Sequence, residues 1–143
     1  MKIVMTFWTF DYLHPGHKFY LRQSKKKWDY LITVIARDIN VLEQKWILPD
    51  HDEQYRLWML WKSKIPDMIL LGDEVDKYKI LSDYKPAILC FGYDQHTNEN
   101  AILDYCLKHG FIPEIYRIDS YKPELHKSSI KKKQRKYNSP KYI

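Results

Sequence analysis

The sequence predicts a single α/β domain, a doubly wound five-stranded parallel sheet with helices on both faces. Three observations carry that expectation. Residues 30–36, YLITVIA, form a near-continuous apolar run rich in β-branched side chains, the pattern of a strand buried on both faces. Short apolar runs alternate with amphipathic stretches along the whole chain, as a parallel sheet with crossover helices requires. With 143 residues, 45% hydrophobic and 29% charged, the chain has the size and composition of one globular domain, residues 1–143, able to bury a core without disulfides or metals.

Each element follows in order. Residues 2–7 read as the first strand and 16–27 as a helix, with Phe19, Tyr20 and Gln23 spread over two turns and a lysine run suited to a helix C-terminus. The second strand is 30–36. After Arg37-Asp38 comes a polar connection to Pro49, expected as a mobile loop. Asp50 or Asp52 can cap a helix running to Lys64, with Tyr55, Trp58 and Met59 for its buried side. Residues 67–71 give a third strand, and 73–84 a helix stopped by Lys85-Pro86. Residues 87–91 are the fourth strand, 98–109 a helix closed by Gly110, 113–118 the fifth strand and 128–136 a last helix. Ligands of such sheets bind beyond the carboxyl ends of the strands, which directs attention to residues 11–17, 37–38, 72–73, 92–95 and 117–121.

Composition excludes several functions. No apolar run approaches the ~18 residues of a membrane span, and the Met1-Lys2-Ile3-Val4 start lacks the blocks of a signal peptide, so a cytoplasmic protein without membrane contact is expected. Cys90 and Cys106 have no C-x-x-C spacing. They argue for a reducing compartment and read as buried small hydrophobes. The net charge of +6 is concentrated at one end. Residues 122–143 hold eight basic side chains against Glu124 alone, leaving 16 basic and 17 acidic groups in the first 121 residues. This basic C-terminal segment is expected as a helix plus a flexible end; it can be a solvated helix end, or hold an anionic ligand or nucleic acid. Triphosphate is the expected occupant, and nucleic acid is not.

The sharpest signal is Thr9-Phe10-Asp11-Tyr12-Leu13-His14-Pro15-Gly16-His17. It places two imidazoles beside free backbone N–H groups at a positive helix end, a ready anion site. Pro15 suits the first helical turn and Gly16 lets a phosphate approach the backbone. A His-x-x-His pair can also bind metal, but no third ligand lies at suitable spacing.

This segment, T-F-D-x-L-H-x-G-H, resembles the signature of the cytidylyltransferase-like nucleotidyltransferases, and the resemblance covers nearly the whole chain. It implies a Rossmann-like domain with sheet order 3-2-1-4-5. Arg56 resembles the arginine that the family carries on the helix after the mobile loop, Lys45 lies where relatives carry phosphate-binding lysines, and Lys127-Ser128-Ser129-Ile130 resembles the helix start that holds the β and γ phosphates. Lys85-Pro86, Phe91-Gly92-Tyr93-Asp94-Gln95, Arg117-Ile118 and Tyr121 look most like the archaeal-type FAD synthase branch. The related glycerol-3-phosphate cytidylyltransferases share the first motif. One position departs: Trp8 stands where relatives carry glycine.

The activity so implied is in-line displacement at the α-phosphorus of a nucleoside triphosphate by an ionised substrate phosphate, with no protein base needed. His14 and His17 would face the developing charge. Lys45, Arg56, Arg117 and the Ser128–Ser129 helix start would hold the outgoing pyrophosphate, bridged by Mg²⁺. Thr9, Phe10, Pro15, Gly16, Asp94 and Tyr121 complete the expected nucleotide site. Asp94 reads either as a ribose or base contact or as a helix cap, and Tyr121 either as a base-stacking or a packing residue. The five tryptophans and twelve tyrosines invite flavin stacking, but suit a core or a homodimer interface better. ATP with FMN is the leading substrate pair. CTP with glycerol 3-phosphate or another polyol phosphate is the rival, and a degenerate nucleotide-binding module is the alternative outside the enzyme class.

Overall fold

The computed structural model describes residues 2–121 and 141–142. Strands β1 (Ile3–Trp8), β2 (Tyr30–Ile35), β3 (Met68–Leu71), β4 (Ile88–Gly92) and β6 (Glu114–Ile118) form one sheet in the order β3-β2-β1-β4-β6, with every neighbouring pair parallel. A two-residue strand after β4, β5 (Gln95–His96), pairs instead with β7 (Lys141–Tyr142). The order is therefore the expected 3-2-1-4-5, with the short β5 inserted in the count.

Side chains alternate across the central strands, so β1 and β2 feed two cores. Val4, Leu31 and Ile35 pack with Leu21 of α1 (Pro15–Lys25) and Leu60 of α3 (Glu53–Ser63). Met5, Ile32 and Val34 pack on the other face with Leu81 of α4 (Lys79–Tyr84) and Ile102 of α5 (Glu99–Lys108). Burying both faces is what makes the YLITVI strand apolar throughout. A hydroxyl pair, Thr6 with Thr33 at 2.9 Å, satisfies the polar atoms at the sheet centre. Cys90 and Cys106 are free and buried. Among the described residues no helix is long and apolar enough to cross a membrane.

Three elements correct the sequence expectations. The loop expected after Arg37-Asp38 is largely helix, α2 (Asp38–Lys45). Only Val41 of α2 is buried, so no apolar period announces the helix. Its start is pinned from a distance, by reciprocal bonds between the Asp38 and Glu53 carboxylates and each other's backbone N–H. The helix expected over 73–84 begins only at Lys79, because Asp73 accepts from the Val75 and Asp76 amides and Asp76 from Tyr78, holding 73–78 in side-chain-bonded turns. In α3, capped as expected by Asp52, the buried side is Arg56 and Leu60 with Leu57. Tyr55 and Trp58 face outward, 42% and 47% exposed. The helix expected over 128–136 lies outside the described residues.

Candidate active site

The signature turn joins the end of β1 to α1, beside the carboxyl ends of β2 and β4. His14 is the N-cap of α1. Its Nδ1 accepts the amides of Gly16 at 3.0 Å and His17 at 3.3 Å, so in the neutral ring the proton sits on Nε2. The ring folds so closely over the helix start that a Cβ on Gly16 would lie 2.8 Å from His14 Cε1. This corrects part of the sequence reading: those two amides are taken by His14, and glycine at 16 makes room for the imidazole.

His17 stacks on His14, with centroids 3.8 Å apart and planes 19° from parallel. It is held edge-on between Phe10 at 5.2 Å and Trp8 at 5.8 Å. Burial, and secondarily the neighbouring His14, push its pKa down to about 4. Near neutral pH His17 is thus uncharged, its Nδ1 buried without a partner among the described residues, and it lines the open space beside the turn.

That space has three parts, and Trp8 borders all of them. A cavity of about 670 Å³ is lined by His14, Gly16 and His17 together with Gly92, Asp94 and Tyr121. A second, of about 390 Å³, holds Thr9, His14, His17 and Lys45. The third, of about 610 Å³, lies across the sheet, with Phe7, Val34, Leu89 and Phe91 as an apolar floor and Arg37, Asp73 and Asp76 at its rim. The Trp8 indole stands so near Gly92 that a Cβ there would fall 2.6 Å from the ring.

The expected site residues divide accordingly. His14, Pro15, Gly16, His17, Asp94 and Tyr121 share the first cavity. The helix after Asp94 is capped by Asn98, through the Ala101 amide. Thr9 and Lys45 share the second; Lys45 is exposed at the end of α2, and the Thr9 hydroxyl is buried with no partner among the described residues. Phe10 is core, 1% exposed with φ +56, and touches no ligand space. The two arginines stand apart from the phosphate site. Arg56 is 1% exposed and donates to the carbonyls of Thr9, Ala36 and His51 and to the Asp38 carboxylate. Arg117 is engaged by the carbonyls of Gly92 and Gln95, the Thr97 hydroxyl and Glu99. Both brace strand ends where direct pyrophosphate contacts were expected. Ser128 and Ser129 lie outside the described residues.

Sequence reasoning missed the α2 groups that line the third cavity, and gave no bracing role to Gln95, which lies in the 92–95 stretch it singled out. The latter's amide accepts from Gly92 N and donates to Phe7 O, at 2.6 Å each, tying β1 to β4. Its position directly after the fourth strand was the available signal.

The parallel sheet carries paired histidines at its first strand–helix turn, and residues 6–135 match the cytidylyltransferase-like family model. The chain belongs to that family. Within it, the chain is FAD synthase-like. It is 39% identical over 129 residues to a FAD synthase of Picrophilus torridus, covering 90% of this chain and 91% of that one. It is 38% identical to a FAD synthase of Thermoplasma volcanium, with 91% of each covered. A solved structure from Thermoplasma volcanium, described as a lipopolysaccharide core biosynthesis protein, superposes with TM-score 0.79 at 38% identity, over 85% of this chain and 99% of that one. A pantoate-beta-alanine ligase from Francisella tularensis shares the fold alone, at TM-score 0.57 and 17% identity over 92% of this chain and 65% of that one.

Proposed function

We propose that this chain transfers the adenylyl group of ATP to FMN, forming FAD and pyrophosphate. The observation that carries the reading is the stacked His14–His17 pair lining the first cavity, with Trp8 shared between that cavity and the apolar-floored one. An isoalloxazine needs an apolar surface of that size, which a three-carbon polyol phosphate does not. This favours FMN over glycerol 3-phosphate.

An FMN phosphate oxygen forms a bond to the α-phosphorus as the bond to the bridging α–β oxygen breaks, and pyrophosphate leaves with that oxygen. Both imidazoles direct N–H donors at the α-phosphoryl oxygens, whose charge rises in the transition state. His17, uncharged near neutral pH and held by packing, needs no reorganisation during the step. Lys45 and the Thr9 hydroxyl, across the histidine pair, hold the attacking phosphate. Asp94 and Tyr121 take the nucleoside, while Ser128 and Ser129 are assigned the β and γ phosphates. Arg56 and Arg117 fix the backbone that carries these groups.

Among the described residues no cluster of three His, Cys, Asp or Glu is placed to hold a metal. That donor set fits Mg²⁺ arriving on the triphosphate, with Asp94 and Asp119 on the cavity wall for its waters. The ion would neutralise pyrophosphate charge. A homodimer in a reducing cytoplasm, where Cys90 and Cys106 stay free thiols, belongs to the same reading.

The test is direct. Purified protein is given ATP or CTP with FMN or glycerol 3-phosphate, and pyrophosphate and FAD are measured. ATP with FMN should give both products; turnover restricted to CTP with glycerol 3-phosphate would replace this reading with the cytidylyltransferase one.

A further inference from the structure

The signature turn directs one carboxylate at the chain's own backbone. Asp11 precedes His14 in that turn, and both of its oxygens are taken by the residues just ahead of α3. Oδ2 accepts the Asp50 amide at 2.8 Å and Oδ1 the His51 amide at 2.9 Å. The Asp11 carbonyl accepts from His51 Nδ1 at 2.8 Å. One residue on, the Tyr12 hydroxyl donates to the Asp50 carboxylate, and its ring meets His51 edge-on at 4.7 Å. Residues 11–12 and 50–51 are clasped through backbone and side chain together.

Between this clasp and the end of α2 runs a short strap, residues 46–50. Its Ile47, Leu48, Pro49 and Asp50 line the second cavity, the space shared by His14, His17 and Lys45. Packing within the chain does not hold the strap. Trp46, Ile47 and Leu48 are 90%, 66% and 55% exposed, and the last turn of α2, residues 42–45, is exposed as well. Trp46 also ends α2 at φ +63, a left-handed conformation unfavourable for a bulky side chain. Such backbone persists only where the structure on either side dictates it. On one side the start of α2 is fixed by the Asp38–Glu53 bonds; on the other stands the Asp11 clasp. A carboxylate accepting two amides is a strong, charge-assisted anchor. Lys45 adjoins the strained residue directly, so the anchor's position is passed to it.

We propose that Asp11 is a positioning residue: it fixes the 46–50 strap beside the second cavity and thereby sets where Lys45 meets the attacking phosphate. The placing of that phosphate at Lys45 rests on the function proposed above. Asp11 acts on the anion indirectly, since a carboxylate repels phosphate and its oxygens are turned to the Asp50 and His51 amides. Asparagine at this position would keep the shape but supply one acceptor oxygen, and its amide nitrogen would meet an N–H donor to donor.

The test compares Asp11→Ala, Asp11→Asn, Lys45→Ala and the double variant Asp11→Ala with Lys45→Ala, all in the full chain. Pyrophosphate release gives kcat and KM, and NMR-resolved hydrogen exchange reads the clasp. Exchange at the Asp50 and His51 amides should accelerate about tenfold or more in Asp11→Ala, while β1 and β2 keep wild-type protection. KM for FMN should rise about tenfold or more in Asp11→Ala and in Lys45→Ala, and by less in Asp11→Asn. The double variant should be no worse than Lys45→Ala, because a positioning residue has no effect once the group it positions is gone. Effects that multiply in the double variant would overturn the proposal, as would unchanged exchange at the two amides or a loss confined to kcat. If Asp11→Ala does not fold, Asp11→Asn, alone and combined with Lys45→Ala, gives the same readings. A wild type that releases no pyrophosphate would overturn the function, and faster exchange in the Asp11 variants would still establish the clasp.

Discussion

The histidine turn and the Arg56 hub lie at the same end of β1, and both look like phosphate ligands in the sequence; the structure gives them opposite surroundings. His14 and His17 line two open cavities. Arg56 is enclosed, its guanidinium joining the end of β1 at Thr9, the end of β2 at Ala36, the α2 start at Asp38 and the approach to α3 at His51. Charge in a sequence does not distinguish a group that meets ligand from one that holds the frame. Burial and saturation of its donors do.

The largest expected effect lies at the hub. Arg56→Met removes the shared partner of three carbonyls and leaves Asp38 without its counter-charge, a loss of about 3–5 kcal/mol of stability. Thermal denaturation should show a melting temperature lower by on the order of 10 °C. A variant that melts like the wild type but binds triphosphate poorly would make Arg56 a phosphate ligand and erase the contrast.

At the turn the balance reverses. His14→Ala or His17→Ala should lower turnover about a hundredfold, the usual consequence of removing one donor to a developing oxyanion. The stability change should be only ~1 kcal/mol, since His14 contributes a helix cap. Pyrophosphate release and thermal melts of the same variants check both halves.

The two regions were unequally legible in the sequence. The strand positions, the signature turn and the α1 start could be read because local pattern determines them: a two-sided apolar run, and Pro-Gly between two histidines; the sheet order came only with the family resemblance. The occupation of the helix amides by His14 could not, because it depends on a side-chain rotamer. The Arg56 hub depends on partners 5 to 47 residues away, Thr9 the most distant, and nothing local signals such contacts. α2 escaped for the same reason, its start being set by Glu53 from the next helix. Tyr55 and Trp58 of α3, which face outward, were assigned to the core because aromatic residues at helical spacing normally are core. Here an arginine takes that position.

His17 also gives the contrast a pH signature. Its folded pKa of about 4 lies below the ordinary histidine value of 6.5, so between the two the unfolded chain binds the extra proton. His17's contribution to stability is fully present above pH 6.5 and is lost as pH falls toward 4. His17→Gln should flatten that part of the stability profile. A bound triphosphate should raise the pKa, since an adjacent anion favours the imidazolium; NMR titration of the ring with and without ATP measures it. An unshifted pKa on binding would move the phosphates away from His17.

The smallest effect is expected at Trp8, which touches the histidine turn but belongs to no ligand-binding set that sequence assigns. Its indole contacts His17 and Tyr20, and its far edge closes on Gly92, so it separates the phosphate cavity from the apolar one. A planar acceptor seated on the apolar floor would meet that indole, and aromatic stacking contributes about 0.5–1.5 kcal/mol. Trp8→Gly should therefore weaken FMN binding by roughly threefold to tenfold while altering kcat less. Trp8→Phe should retain most of the affinity, because a smaller ring still stacks. FMN should quench wild-type tryptophan fluorescence more than that of Trp8→Phe, a comparison that subtracts the other four indoles. Equal quenching, with unchanged FMN affinity in Trp8→Gly, would show that Trp8 packs the strand end like Arg56 and belongs to the frame rather than to the ligand-facing side.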